Sequence, residues 1–331
     1  MGDTKEKAKK VVEAVGKGSK AAAEATQRAA KAVGEGGKKA IVKTKDSVIS
    51  AMDQDGNGMI DSADLIIMAL KVPGIKIKRA DFLKKELFKH YPQEVIDKAI
   101  ATSPAQAGID PLVIDKCADE VIKFERNAVS GISLALGIPG GAAMVATIPA
   151  DIAQYYGYMI RAAQKMLYLY GFPEIDFEKD GLMLDSETIN SLTVCLGVMY
   201  GVANANNAIK AMAKALAKGV EKQLMNKALT KGAIYPIVKA VAKWFGVRMT
   251  KDVFAGFFKK AIPVVGGAIG GGLTFATFKP CCVRLKDALK DTFLSNPDHK
   301  ETEEENKIYE DIKNEVIDVE SEELFPVDDD I

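Results

Sequence analysis

Apolar residues recur at three- and four-residue intervals along most of this chain, and nowhere do they alternate with polar ones over the length of a strand. The pattern predicts an all-α protein. Ala8, Val11, Val12, Val15, Ala22, Ala29, Ala30 and Val33 fall on one face of a lysine-flanked segment covering residues 5–45. That stripe is narrow, and Gly16, Gly18, Gly34, Gly36 and Gly37 each weaken a helix by about 1 kcal/mol relative to alanine. Residues 1–45 therefore read as a marginal, basic amphipathic arm. Downstream, helices are predicted over residues 81–90, 93–102 and 111–129. The clearest covers 151–170, stopped by Gly171 and Pro173. Asp185-Ser186-Glu187 forms a cap signal for a helix reaching Gly201. An Ala/Lys-rich amphipathic stretch covers 208–227, and two separate helices are expected over 234–245 and 251–261. Ile308, Ile312 and Val316 recur at i, i+4 and i+8, the spacing of one short docking helix. The remainder of residues 297–331 is acidic and reads as a largely disordered tail.

The sharpest motif lies between the arm and this helical body. Residues 53–64 read Asp-Gln-Asp-Gly-Asn-Gly-Met-Ile-Asp-Ser-Ala-Asp, the twelve-residue EF-hand calcium loop. Asp53, Asp55 and Asn57 occupy positions 1, 3 and 5, where short oxygen donors are needed. Gly58 stands at position 6, where the chain turns with positive φ, and Met59 at position 7 offers its carbonyl. Ile60 is the apolar anchor, Asp61 fills position 9 and Asp64 position 12. Crowding these carboxylates together is costly unless a hard divalent cation replaces repulsion with attraction. The expected ion is Ca²⁺. Position 12 is usually Glu, and the shorter Asp64 shifts the preference toward Mg²⁺. A single loop over residues 46–72, with no second copy to pair with, braces its own two helices or pairs across a dimer.

Composition narrows the function. The chain has 331 residues with no net charge, which removes the simple electrostatic case for nucleic acid. The charge is unevenly spread, however: residues 1–50 carry net +6 and residues 298–331 net −12. A basic amphipathic arm suits an anionic membrane surface, and an acidic tail suits a basic protein partner. Segments 127–150, 188–209 and 261–278 lack any charge, but prolines, asparagines and glycines interrupt them. They read as helices packed through Gly/Ala-rich surfaces rather than as membrane spans. In the third, Gly266 with Gly270 and Gly267 with Gly271 form overlapping small-residue pairs suited to close helix packing. Cys117, Cys195, Cys281 and Cys282 include no CxxC, and His90 and His299 are the only histidines, so a structural zinc site is not expected. The lysine-rich start has no apolar core of a signal peptide, so a reducing cytoplasm is the expected compartment.

On the 151–170 helix, Asp151, Gln154, Tyr158, Arg161 and Lys165 share one face. Asp151 is expected near the helix start, where a carboxylate favours the dipole's positive end. Such a stripe is a solvated face or the wall of a pocket. Gly137–Gly141, Thr147–Asp151 with Gln154 and Gly157, Gln164-Lys165, and Tyr168–Gly171 together resemble the bacterial EcsC protein family. So do Leu229 through Tyr235-Pro236 and Pro263 through Gly271 to Lys279-Pro280, a likeness covering about residues 75–290. The family is named from a gene beside an ABC-transporter operon. The resemblance therefore implies a bacterial, cytoplasmic setting at or near the inner membrane, and it brings no catalytic residue with it. The leading expectation is a non-catalytic, calcium-binding EcsC-like protein at the cytoplasmic membrane surface, with its helical domain over residues 75–296. The alternatives are an enzyme or carrier with a pocket around Asp151, Gln154, Tyr158 and Arg161, and a soluble scaffold using its acidic tail.

Overall fold

The computed structural model describes residues 50–54, 56–136, 143–177, 186–220, 222–260, 266–296 and 298–324. The basic arm expected over residues 1–45, Asp55, the 137–141 glycine–proline segment and the last seven residues lie outside the described residues. Every regular element described is an α-helix. In chain order these are α1 (Ser62–Leu70), α2 (Arg79–Leu87), α3 (Gln93–Ala101), α4 (Pro111–Leu136), α5 (Ala143–Leu169), α6 (Ser186–Tyr200), α7 (Ala205–Ala217), α8 (Lys222–Thr230), α9 (Tyr235–Lys260), α10 (Gly266–Lys290) and α11 (Glu303–Leu324).

The long helices α4, α5 and α10 pack side by side, and α6 lies against α9 and α10 on one flank. α1 is wedged between α5 and α6, while α7 bridges α6 and α11. Small residues permit the closest approaches. A Cβ on Gly197 of α6 would stand 2.6 Å from Val241 of α9 and 2.9 Å from Ala205 of α7. Six aromatic side chains meet where four helices come together. Tyr156 of α5, Tyr200 of α6, Trp244 and Phe245 of α9, and Tyr155 against Phe278 of α10 form one run of ring contacts. Arg79, at the start of α2, is buried and donates to the carbonyls of Ala99, Ile100, Thr102 and Phe172. One guanidinium thus satisfies the open end of α3 and ties it to the segment after α5.

Several boundaries depart from the pattern in the sequence. α5 begins at Ala143, with Pro149 inside it, so Asp151 sits two turns within the helix rather than at its start. Pro149 lies past the first turn, so it forfeits the intrahelical bond to residue 145. The amphipathic stretch over 208–227 is two helices, because Gly219 takes φ +76° and ends α7. There the amide of Val220 bonds to Ala215 and that of Gly219 to Leu216, the Schellman arrangement. The two helices expected over 234–245 and 251–261 are the single helix α9. Most of the tail expected to be disordered is α11, whose Ile312 is fully buried. No described helix is long and apolar enough to cross a membrane.

Candidate metal centre

The loop that follows Met52 folds around its own carboxylates. The amides of Gly56 and Gly58 donate to Asp53 Oδ1 (2.8 Å) and Oδ2 (2.9 Å). Both glycines take positive φ, +74° and +81°, and at Gly58 this is the turn that position 6 of the motif requires. Asn57 Oδ1 accepts from the Met59 amide at 2.8 Å, and the Met59 side chain is 63% exposed, so only its backbone faces the loop's business. Asp61 is the N-cap of α1 and accepts from Ala63 at 2.7 Å. Asp64 is fully buried. Its Oδ1 accepts from the Gln54 amide at 2.6 Å and its Oδ2 from the Asp61 amide at 2.9 Å. This side chain closes a capping box and also joins the two ends of the loop.

The donor chemistry fits a hard divalent cation. Backbone amides orient the carboxylates of Asp53 and Asp64, and carboxylate and amide oxygens are the donors Ca²⁺ and Mg²⁺ take. Among the described residues no group of three or more His, Cys, Asp or Glu side chains is placed to hold a metal ion. Asp55 is outside those residues, and Asn57 and the Met59 carbonyl are not among those residue types.

The exit side of the loop is built into the body. Ile60 is buried, and Ser62 and Thr193 of α6 share a buried hydroxyl contact at 3.2 Å. Leu65, Ile66, Met68 and Ala69 of α1 belong to the same core as α5 and α6. Beyond α1, Gln164 of α5 holds the chain by both backbone faces. Its amide nitrogen donates to Ile75 O (3.0 Å), and its oxygen accepts from Ile77 N (2.9 Å). Gly157, seven residues or about two turns earlier on α5, leaves room for the Ile75 side chain.

The polar stripe of α5 is not a solvated face. It turns toward α4, where the fully buried Glu125 accepts from Lys165 Nζ at 2.5 Å and stands 3.2 Å from Arg161 Nε. Burial pulls the Lys165 ammonium below its usual range, against the opposing pull of Glu125. Arg161 also lies 5.7 Å from the Tyr158 ring centre, while Asp151 and Gln154 are half-buried further up the helix. The cations expected to line a pocket are therefore engaged with an interior carboxylate. Sequence reading missed Glu125, because nothing along α4 distinguishes it from that helix's solvent-facing acids. All four cysteines are buried and free, and burial pushes the Cys117 thiol up to about 11 and Cys195 up to about 12. Thiols so placed are poor nucleophiles at neutral pH.

No family model, curated protein or solved structure matches this chain.

Proposed function

We propose that this is a non-catalytic calcium-binding protein in which the cation fastens the N-terminal region to the helical body, with a Mg²⁺ option set by Asp64. The observation that carries this reading is the folded state of the 53–64 loop, with Asp53 and Asp64 each held by two backbone amides and both turning glycines at positive φ. Asp53, Asp55, Asn57, the Met59 carbonyl, Asp61 and Asp64 would hold the ion, which supplies the positive charge that offsets their mutual repulsion. Because α1 is part of the core, the ion acts as a brace and not as the trigger of an opening helix pair.

The site of action we infer is an anionic membrane surface on the cytoplasmic side. Support comes from the net +6 charge and apolar stripe of the N-terminal 50 residues, and from the resemblance of residues 75–290 to the EcsC family. Calorimetry is expected to give one Ca²⁺ site per chain, abolished in Asp53→Ala combined with Asp55→Ala. Asp64→Glu is expected to tighten Ca²⁺ relative to Mg²⁺, because the longer arm restores bidentate ligation. Flotation with vesicles containing anionic lipid, with Ca²⁺ or with EDTA, tests the second half. Binding that is lost without residues 1–45 and weakened by EDTA supports the reading. Unchanged Ca²⁺ binding in the double variant overturns the assignment of the loop.

A further inference from the structure

A cavity of about 310 Å³ opens where the C-terminal ends of α5 and α7 meet the start of α6. It is about twice the size of an apolar cavity of roughly 150 Å³ that encloses one benzene ring. Its floor is buried and apolar, formed by Leu167, Cys195, Ile209 and Met212. Burial pushes the Cys195 thiol up to about 12, so it stays protonated and behaves as part of that apolar floor. Phe172 and Val220 form two of the walls. Each directly follows a helix-ending glycine, Gly171 at φ +93° and Gly219 at φ +76°. Their amides close back onto the carbonyls of Leu167 and Ala215, both at 2.9 Å, so the walls are set by backbone turns.

One face of α6 leads from the mouth to the floor. Thr188, Ser191 and Cys195 follow one another along it, three and four residues apart. The Thr188 hydroxyl is committed, donating to the Asp176 carbonyl at 3.2 Å. The Ser191 hydroxyl, half-buried midway, makes no hydrogen bond among the described residues.

We propose that this cavity binds an uncharged, mainly apolar molecule of on the order of ten carbon atoms, with one hydroxyl or carbonyl group that meets Ser191. The interior sets this class. Chain or ring atoms leave water for the floor and walls, the favourable term in such binding. One polar atom of the ligand meets one polar atom of the protein, which fixes its orientation. A charged head drawn to the same depth exchanges its hydration for a single neutral hydroxyl, which opposes binding.

The test is calorimetry of the full chain in EDTA, so that its outcome is independent of the calcium loop. The first probes are 1-hexanol, 1-octanol and 1-decanol, with octanoate and octylammonium as charged controls. Affinity for the alcohols is expected to rise about fourfold per methylene until the cavity is full. Both charged controls are expected to bind more weakly than octanol. The second pair, 2-naphthol and naphthalene, differs by one hydroxyl. Ser191→Ala is expected to lower 2-naphthol affinity about fivefold, the worth of one hydrogen bond, and to leave naphthalene unchanged. Leu216→Trp, which fills the cavity from α7, is expected to abolish binding of every probe. Ile209→Ala enlarges the floor and is expected to carry the rise in affinity to a longer alcohol. Octanoate or octylammonium binding as tightly as octanol, or 2-naphthol unaffected by Ser191→Ala, overturns the ligand class. No saturable binding of any alcohol to the wild-type chain, or binding undiminished in Leu216→Trp, overturns the site. Where Leu216→Trp fails to fold, an unchanged chain-length limit in Ile209→Ala overturns it instead.

Discussion

Two glycines on neighbouring helices separate a packing necessity from a convenience. At Gly197 an added methyl would meet Val241 at 2.6 Å and the Cβ of Ala205 at 2.9 Å, and the second contact lies next to a backbone with nowhere to go. Gly197→Ala is expected to cost about 1–3 kcal/mol in chemical denaturation. At Gly157 the nearest atom is the tip of the Ile75 side chain at 3.1 Å, which can turn aside. Gly157→Ala is expected to cost well under half as much, and its added helix propensity recovers part of that. The buried carboxylate of Glu125 supplies a different contrast. Lys165→Met strands it with only Arg161 nearby and is expected to destabilise by on the order of 3 kcal/mol. Glu125→Gln added to that variant is expected to recover most of the loss, because a neutral amide needs no counter-charge. A double variant as unstable as the single one would mean that packing rather than charge sets the cost.

At the scale of elements, α11 is held to α7 by a small polar network as well as by Ile312. Lys214 donates to Asn306 at 2.8 Å and to Glu301, and its ammonium lies 4.1 Å from the Tyr309 ring centre. His299 sits between Asp291 and Glu305, with Nδ1 2.8 Å from the first and Nε2 2.9 Å from the second. Both bonds are donated by the ring only when both nitrogens carry protons. Lys210 donates to Asp291 at 2.5 Å and, with His299, holds that carboxyl below the usual carboxylate range. A carboxyl depressed in the folded state stabilises above its unfolded pKa, about 3.9, and that contribution is lost as pH falls through the folded value. α11 is therefore expected to loosen below about pH 4, seen as faster amide exchange over residues 303–312 than in α6. Asp291→Asn is expected to raise exchange there at neutral pH and to flatten its acid dependence. None of this network was legible in the sequence, since the connection after α10 folds His299 back onto Asp291 and Lys210 reaches the pair from α7, 81 residues away. The docking stripe of α11 was legible, because Ile308 and Ile312 keep helical register within an acidic run. Helix ends were readable where a glycine coincided with a change of pattern, as at Gly171 and Gly201. They were not at Gly219, where the Ala/Lys pattern continues across the break, nor over 246–250, where the helix continues across a lapse in the pattern.

For the molecule as a whole, the turn at Gly58 and the helix that begins after Asp61 could be read from the spacing of the 53–64 motif. Its attachment could not. Gln164, 100 residues beyond the motif's end at Asp64, is the side chain that secures the segment leaving α1. Nor was the cavity readable, since its lining is drawn from α5, the segment after it, α6, α7 and α8.

That attachment has a mechanical consequence. Tension applied just ahead of the loop is met first by Met52, buried in the core, then by the 53–64 loop, and beyond it by α1 with the Gln164 clasp. In the proposed cation-bound state, ion and clasp act in series, so the weaker of them sets the yield point. Drawn straight, twelve residues add about 40 Å of contour length. In an optical trap pulling from the first residue, chelation is expected to uncover a low-force step of that order before the body gives way. Ca²⁺ is expected to move the step to higher force, and Asp53→Ala to hold it at the low-force value with or without the ion.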